Sequence, residues 1–379
     1  MTIVQDIFSP LREKFYKKSK SSQPIPIAQK KEDLSKLPSS DLVFVDGFYE
    51  PSLSKSFDQI ICLPLDKAIK TYGLFLHNRF AKIDKIEKDP QVFLNFAFHG
   101  KGLFIYVPPH VQIEKPIEIL YLSTTKDLIS PRIHMMLGKN ASISILQSHQ
   151  TWIEDPEINI GFDLIQDAGS RFYLCDVQFV PEESCSNTSI RVTLKKDAVC
   201  DLFHATDGAK KVRFSAHADL LEENSSFSLK ALAMLHGKRV SEFDTLAEHA
   251  AEHCQSHQHV KSLLNHQSRF QFDGKIYVHP QAQKTQSYQL NNTLLLSDDA
   301  MAKVKPNLEI FADDVKASHG ATLAQMAEKE LFYLCSRGIP KTDAQTLLIH
   351  GFCQDFIREI KIDSVKEILL HAMKKALHA

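Results

Sequence analysis

The chain has 379 residues, 43% of them hydrophobic, and carries 45 Lys and Arg against 46 Asp and Glu for a formal net charge of −1. That length allows one large elongated domain or two to three smaller ones. The near balance of charge gives no electrostatic pull towards nucleic acid or an anionic membrane. Its seven cysteines, an odd number with no Cys-x-x-Cys pair, argue against a disulfide framework or a zinc ribbon and suit a reducing cytoplasm.

Met1 to Pro10 contains Asp6 and polar side chains, so no secretory signal is expected. No run of about 18 apolar residues is present that could cross a bilayer. Ile7 to Tyr16 is a short amphipathic candidate, and Lys17 to Ser40, polar, basic and Pro-containing, reads as a loosely ordered arm. Asp41 to Tyr49 reads as a strand followed by a turn at Asp46-Gly47. Cys62 to Tyr72 reads as a helix, and after a polar stretch Pro90 opens another.

From about residue 102 to 317, short runs with period-two alternation recur, among them GLFIYV, PIEILYL, RFYLCDVQF, KVRFSAHADL, FDGKIYV and NLEIFA. Gly, Asn, Asp, Pro and Ser break them, and Asn-Gly hairpin turns are absent. Many short strands with polar turns fit a sandwich, a barrel or a β-solenoid, and without a strict repeat the alternation does not choose among them. The tail is helical. Residues 327–337 stop at Gly338 with Pro340 just beyond; a second helix with Thr342 as N-cap runs to about Ile360; a third has Ser364 and Glu367 as a capping box. Amphipathic helices at a chain end can cover the open end of a solenoid or dock a partner, and the residues alone favour the cover.

Lys305 to Thr322, KPNLEIFADDVKASHGAT, is the densest run of chemistry. A strand through it puts Asp313 and Asp314 on opposite faces, which argues against a β-helix carbohydrate-active enzyme with paired carboxylates. His319-Gly320 reads as a strand exit or tight turn, with Gly320 available for a positive φ. Further upstream, His249, His253, His257 and His259 share odd parity, so a continuous strand lines them up on one face, and a helix lines up the first three. Imidazoles so placed could make a free-standing metal-binding protein. The alternative is a solvated polar ladder. Phosphate-binding glycine loops and a serine-hydrolase elbow are absent.

That stretch, with Leu331 to Ile339, Leu347 to Phe352, His253 to Gln258, Phe272 to Val278, Gln283 to Ser297 and the proline pair of Ile105 to Pro109, resembles the SufB/SufD family. These are scaffold subunits of the Suf system for iron–sulfur cluster assembly. SHGAT (Ser318 to Thr322) and the lack of an N-terminal cysteine cluster place the resemblance with the SufD type.

The resemblance implies a mainly β fold. A right-handed parallel β-helix core would span residues 101–325, after a mixed α/β region over 1–100 and before a helical segment over 326–379. It further implies a non-catalytic, cytoplasmic scaffold that pairs with SufB and docks the ABC-type ATPase SufC, with a homodimer in isolation and neither nucleic-acid binding nor membrane insertion. No stably bound cofactor is implied, only a transient cluster at the SufB–SufD interface. His319 would be an iron or cluster ligand there, imidazole being able to bind iron beside thiolates. Ala317 stands where the family motif has a cysteine. The SufC-docking region would include Phe332, Tyr333, Arg337, Gly338 and Phe352. No ligand role carries over to Cys254, and Cys335 and Cys353 read as small apolar residues.

Overall fold

The computed structural model describes residues 40–73, 76, 89–98 and 102–378. The amphipathic candidate at Ile7 to Tyr16 and all but the last residue of the arm after it lie outside that range.

The chain winds as a parallel β-solenoid with two strand stacks. The first stack runs in space from β2 (Phe48–Tyr49) and β1 (Leu42–Val45) through β5 (Ile117–Ser123), β8 (Ser142–Thr151) and β10 (Arg171–Gln178). It continues through β12 (Val199–Thr206), β14 (Ser226–Leu235), β16 (Gln255–Leu264) and β18 (Gln286–Leu295) to β20 (Lys316–Gln325). The second runs from β3 (Ile61–Pro64) and β4 (Leu103–Val107) through β7 (Arg132–Leu137), β9 (Glu157–Gln166) and β11 (Cys185–Leu194). It ends through β13 (Lys211–Leu220), β15 (Val240–His249), β17 (Arg269–Val278) and β19 (Met301–Ile310), with β6 (Leu128–Ile129) beside β9. Among the described strands, only β1–β2 and β3–β4 pair antiparallel.

The winding is fixed at one corner of each coil by a residue in the left-handed region: Asn140, Gly169, Asp197, Asn224, His253 and Lys284, spaced 27 to 31 residues apart. Each backbone N–H donates to a carbonyl one coil further on, from Asn140 to Ala168 through to Lys284 on Asp314. Asn, Asp and Gly tolerate this conformation best, so the corners are partly chosen by residue type. Between the stacks lies one apolar core, with Ile145, Leu174, Leu202, Leu229, Phe162, Phe214 and Phe243 among its members.

Among the described residues, five α-helices attach to the coil. Instead of one helix from Cys62, β3 ends at Pro64 and α1 (Leu65–Thr71) follows, burying Leu65 and Ala68. The helix that Pro90 opens is α2 (Pro90–Phe98), and a buried cluster bolts it to the second stack. Arg132 forms a bidentate pair with Asp163 at 2.7 and 2.8 Å, donates to Asn95 at 2.7 Å, and lies over the Phe96 ring. A Cβ at Gly161 would overlap that guanidinium.

The C-terminal helices are α3 (Glu328–Ser336), α4 (Lys341–Glu359) and α5 (Asp363–His378). Gly338, at φ +86°, ends α3 in a Schellman motif: Ile339 N–H donates to Leu334 O and Gly338 N–H to Cys335 O. The two expected caps are displaced. Pro340 occupies the N-cap of α4, because its preset φ starts the helix before Thr342, and Ser364 lies inside α5. The helices do not cover the end of the solenoid either. Ile349, Cys353, Phe356, Val365, Leu369 and Met373 pack on Tyr173, Cys175, Phe203, Leu232, Met234 and Leu263, which form an apolar outer face of the first stack. That face, hydrophobic on both sides of the strands, draws the helices to the flank.

Candidate functional site

Since α4 and α5 lie on the flank, the last coil is bare among the described residues. Neither β19 nor β20 has a strand beyond it among the described residues. Almost every β20 residue is exposed, including Leu323 at 57%, and at the end of β19 Ile310 and Phe311 are exposed as well. Pro306 lies within β19 rather than before it, a placement a strand tolerates at a sheet edge.

The expected turn at His319-Gly320 is strand: both residues belong to β20, and Gly320 has no positive φ. Asp313 and Asp314 lie in the corner between β19 and β20, not on a strand, so the opposite-face placement falls away. Asp314 holds that corner through its backbone, its N–H donating to Gln283 Oε1 and its carbonyl accepting from Lys284.

Register defines which way His319 faces. In β18, Leu295 packs on the inner core and Leu294 on the helices, so Ser287, Gln289, Asn291 and Thr293 share the inward face. Their partners on β20 are Ala317, His319, Ala321 and Leu323. His319 is therefore an inward-parity residue on the rim of the open end, exposed because no further coil covers it among the described residues. It hydrogen-bonds to none of the described residues.

Behind the rim both stacks line the interior with polar groups. His249 Nε2 meets Ser256 Oγ at 2.8 Å, and Ser256 Oγ meets Ser287 Oγ at 2.6 Å. Thr245 Oγ1 donates to Gln258 Oε1 at 2.5 Å, and Gln289 Nε2 donates to the same oxygen at 3.2 Å. Ser262 pairs with Thr293 at 2.7 Å. Buried polar groups are costly unless bonded, and these strings satisfy most of them. Gln289 Oε1 and Asn291 Nδ2, both buried next to β20, stay without a partner among the described residues.

The histidine series does not converge. His249 points inward at the end of β15, and burial pushes its pKa down to about 4. His253 is the left-handed corner residue, while His257 stacks on Tyr288 and His259 bonds Asn292, both on the outer face of β16. The corner at residues 250–254 breaks the strand that would have aligned them. Among the described residues no group of three or more His, Cys, Asp or Glu is placed to hold a metal ion. His319 thus stands at the rim as a single imidazole, outside any such group. Cys254 and Cys353 are buried, and burial raises both thiols, Cys353 to about 12. Cys335 is half-buried rather than core.

Four of the remaining candidates form a second patch. Phe332 and Tyr333 on α3 are 74% and 57% exposed, and Arg337 lies 5.3 Å over the Tyr333 ring beside Gly338. Phe352 is separate from them: on α4 it faces the first stack, with Lys261 Nζ 4.9 Å over its ring. No described helix is long and apolar enough to cross a membrane. The polar strings and the status of β20 as a strand were missed from sequence. The alternation Ser287-Gln289-Asn291-Thr293 was the available signal, but polar residues at period two do not reveal which face is buried.

Comparison with known proteins gives two family matches: the SUF system FeS cluster assembly SufBD core domain over residues 120–352, and the SufBD protein N-terminal region over residues 6–119. An iron-sulfur cluster assembly SufBD family protein of Synechocystis is 29% identical, over 86% of this chain and 75% of its own length. The iron-sulfur cluster assembly protein SufD of Escherichia coli is 27% identical, over 88% and 78%. SufD of Bacillus subtilis is 22% identical, over 77% and 68%.

Proposed function

The chain belongs to the SufBD family of iron–sulfur cluster assembly proteins, and from that membership we propose that it is a non-catalytic scaffold subunit of the SufD type. The nascent cluster is its cargo. Its partners are a SufB-type subunit at the open end of the solenoid and the ATPase SufC on the C-terminal helices, in the cytoplasm.

The observation that carries this reading is the bare last coil. Two adjacent edge strands with exposed apolar residues are a template for pairing with another β-structure, and a soluble protein normally covers or charges such edges. A second scaffold of the same build would continue both stacks. His319 on the rim would then lie between two chains, where thiolates from the partner complete a ligand set that this chain alone does not have. In isolation the same edges pair with those of a second copy, giving a twofold dimer. SufC acts from the flank, and ATP shifts the scaffold only by as much as SufC binds its two arrangements differently.

The test is co-purification of the full chain with the SufB-type and SufC-type proteins of its own organism, sized by light scattering. A stable complex containing one copy of this chain and one of the SufB type supports the reading. A chain that stays a homodimer or monomer in the presence of both overturns it.

A further inference from the structure

We propose that Gln289 is a positioning residue for His319: its side-chain carbonyl accepts the N–H of one imidazole nitrogen and leaves the other nitrogen to face a metal ion. This rests on the reading of His319 as a ligand at the open end.

Gln289 and His319 are register partners on β18 and β20 and share the inward face. Neighbouring strands lie about 4.8 Å apart, so the two side chains are stacked neighbours. Gln289 is 2% exposed, and its amide has one permitted orientation. Gln258 Nε2 donates to the Lys275 carbonyl at 3.3 Å, which directs Gln258 Oε1 to the hydroxyl of Thr245. That same oxygen takes a hydrogen from Gln289, so Gln289 has to present its nitrogen inward. Its Oε1 is left buried with no partner among the described residues.

An unfilled acceptor of this kind is expensive to bury, and β20 is the neighbour that lacks a matching bond. The space for this amide is itself made by a residue choice. A Cβ at Gly274 would meet Gln289 Nε2 at 2.5 Å and collide with the Phe272 ring.

His319, without a hydrogen bond to the described residues, reaches that acceptor by rotation of its own side chain. A metal-binding imidazole commonly donates its other N–H to an oxygen, which fixes both the tautomer and the ring plane. Thr245, Gln258 and Gln289 thus form a three-residue strut running from the second stack through the core to the rim.

The readout is the tautomer of His319 in the full, metal-free chain, from ring nitrogen shifts of 15N-histidine-labelled protein at about pH 8, where an ordinary histidine is neutral. The His319→Ala variant identifies the signal. Wild type is expected to hold one dominant tautomer. Gln289→Met, similar in length without the acceptor, moves the ratio by roughly fivefold, the scale of one ordinary hydrogen bond. An unchanged ratio in Gln289→Met overturns the proposal, even if its melting temperature falls. If Gln289→Met does not fold, Gln258→Leu, which removes the oxygen that draws the Gln289 nitrogen inward, must give the same shift, and an unchanged ratio there is equally fatal. Cluster yield with His319→Ala is scored separately, so loss of the ligand reading is distinguishable from loss of the strut.

Discussion

At the scale of single residues, the interior carries ionisable groups whose environments set definite expectations. Burial holds His249 neutral, with its pKa pushed down to about 4. Its contribution to stability is therefore complete above the unfolded value of about 6.5 and is lost as pH falls towards 4, because the unfolded chain takes up the proton first. The loss over that window is about 3 kcal/mol. Urea midpoints measured from pH 7 to 4 should fall, and His249→Gln should flatten that slope; an identical slope would show that His249 does not titrate as described. Asp176 extends the same logic to lower pH. Burial raises its pKa, but hydrogen bonds with His149 and His204 outweigh burial and bring it to about 2. Its share of stability is present above the unfolded carboxylate range and is lost below it.

The Arg132–Asp163 pair is different, because both groups are sealed in with Asn95 and Phe96. Removing one charge strands the other, so Asp163→Ala should cost about 3 to 5 kcal/mol in chemical denaturation. A cost under about 1 kcal/mol, the usual value for an exposed pair, would contradict the buried geometry. None of these groups was legible in the sequence as interior. Histidine, aspartate and glutamine at inward positions look the same as solvated ones until the register is known. His319 was found through the resemblance, while Gln289 became visible only once β18 and β20 were seen side by side.

At the scale of elements, the sequence identified α2 and the end of α3 because Pro90 and Gly338 act through their own backbone restrictions. It misplaced the caps of α4 and α5, since Thr and Ser three residues before Gln or Glu recur by chance, and Pro340 took precedence. It also read His319-Gly320 as a strand exit or tight turn, because glycine in a strand is uncommon; Gly320 is accommodated within β20 against Leu290. The flank position of α4 and α5 followed from apolar residues on both parities of β10, β12 and β14, a pattern that alternation does not report.

The α3 patch gives the clearest element-level test. Phe332 and Tyr333 are exposed on a helix with no buried residue, so Phe332→Asp with Tyr333→Asp should leave the melting temperature nearly unchanged. The same double variant should abolish binding of the SufC-type ATPase in a pull-down, exposed aromatic side chains being the usual anchors of an interface. Undiminished binding would remove α3 from the docking surface.

At the scale of the whole molecule, the solenoid was named by resemblance rather than by period. The coil length drifts between 27 and 31 residues, which hides the repeat, and the left-handed corners use Asn, Gly, Asp, His and Lys in turn. Among the described residues the last coil has two edges without a further strand, with His319 on its rim and a polar interior behind it. The most direct measurement is anaerobic iron–sulfur cluster reconstitution on the co-purified complex, comparing wild type with His319→Ala at equal complex recovery. The expected result is an intact complex whose cluster yield falls by roughly tenfold or more, at least the scale of disturbing a metal's supporting shell. An intact complex with an unchanged cluster yield would contradict the assignment of the open end as the place where the cargo is held.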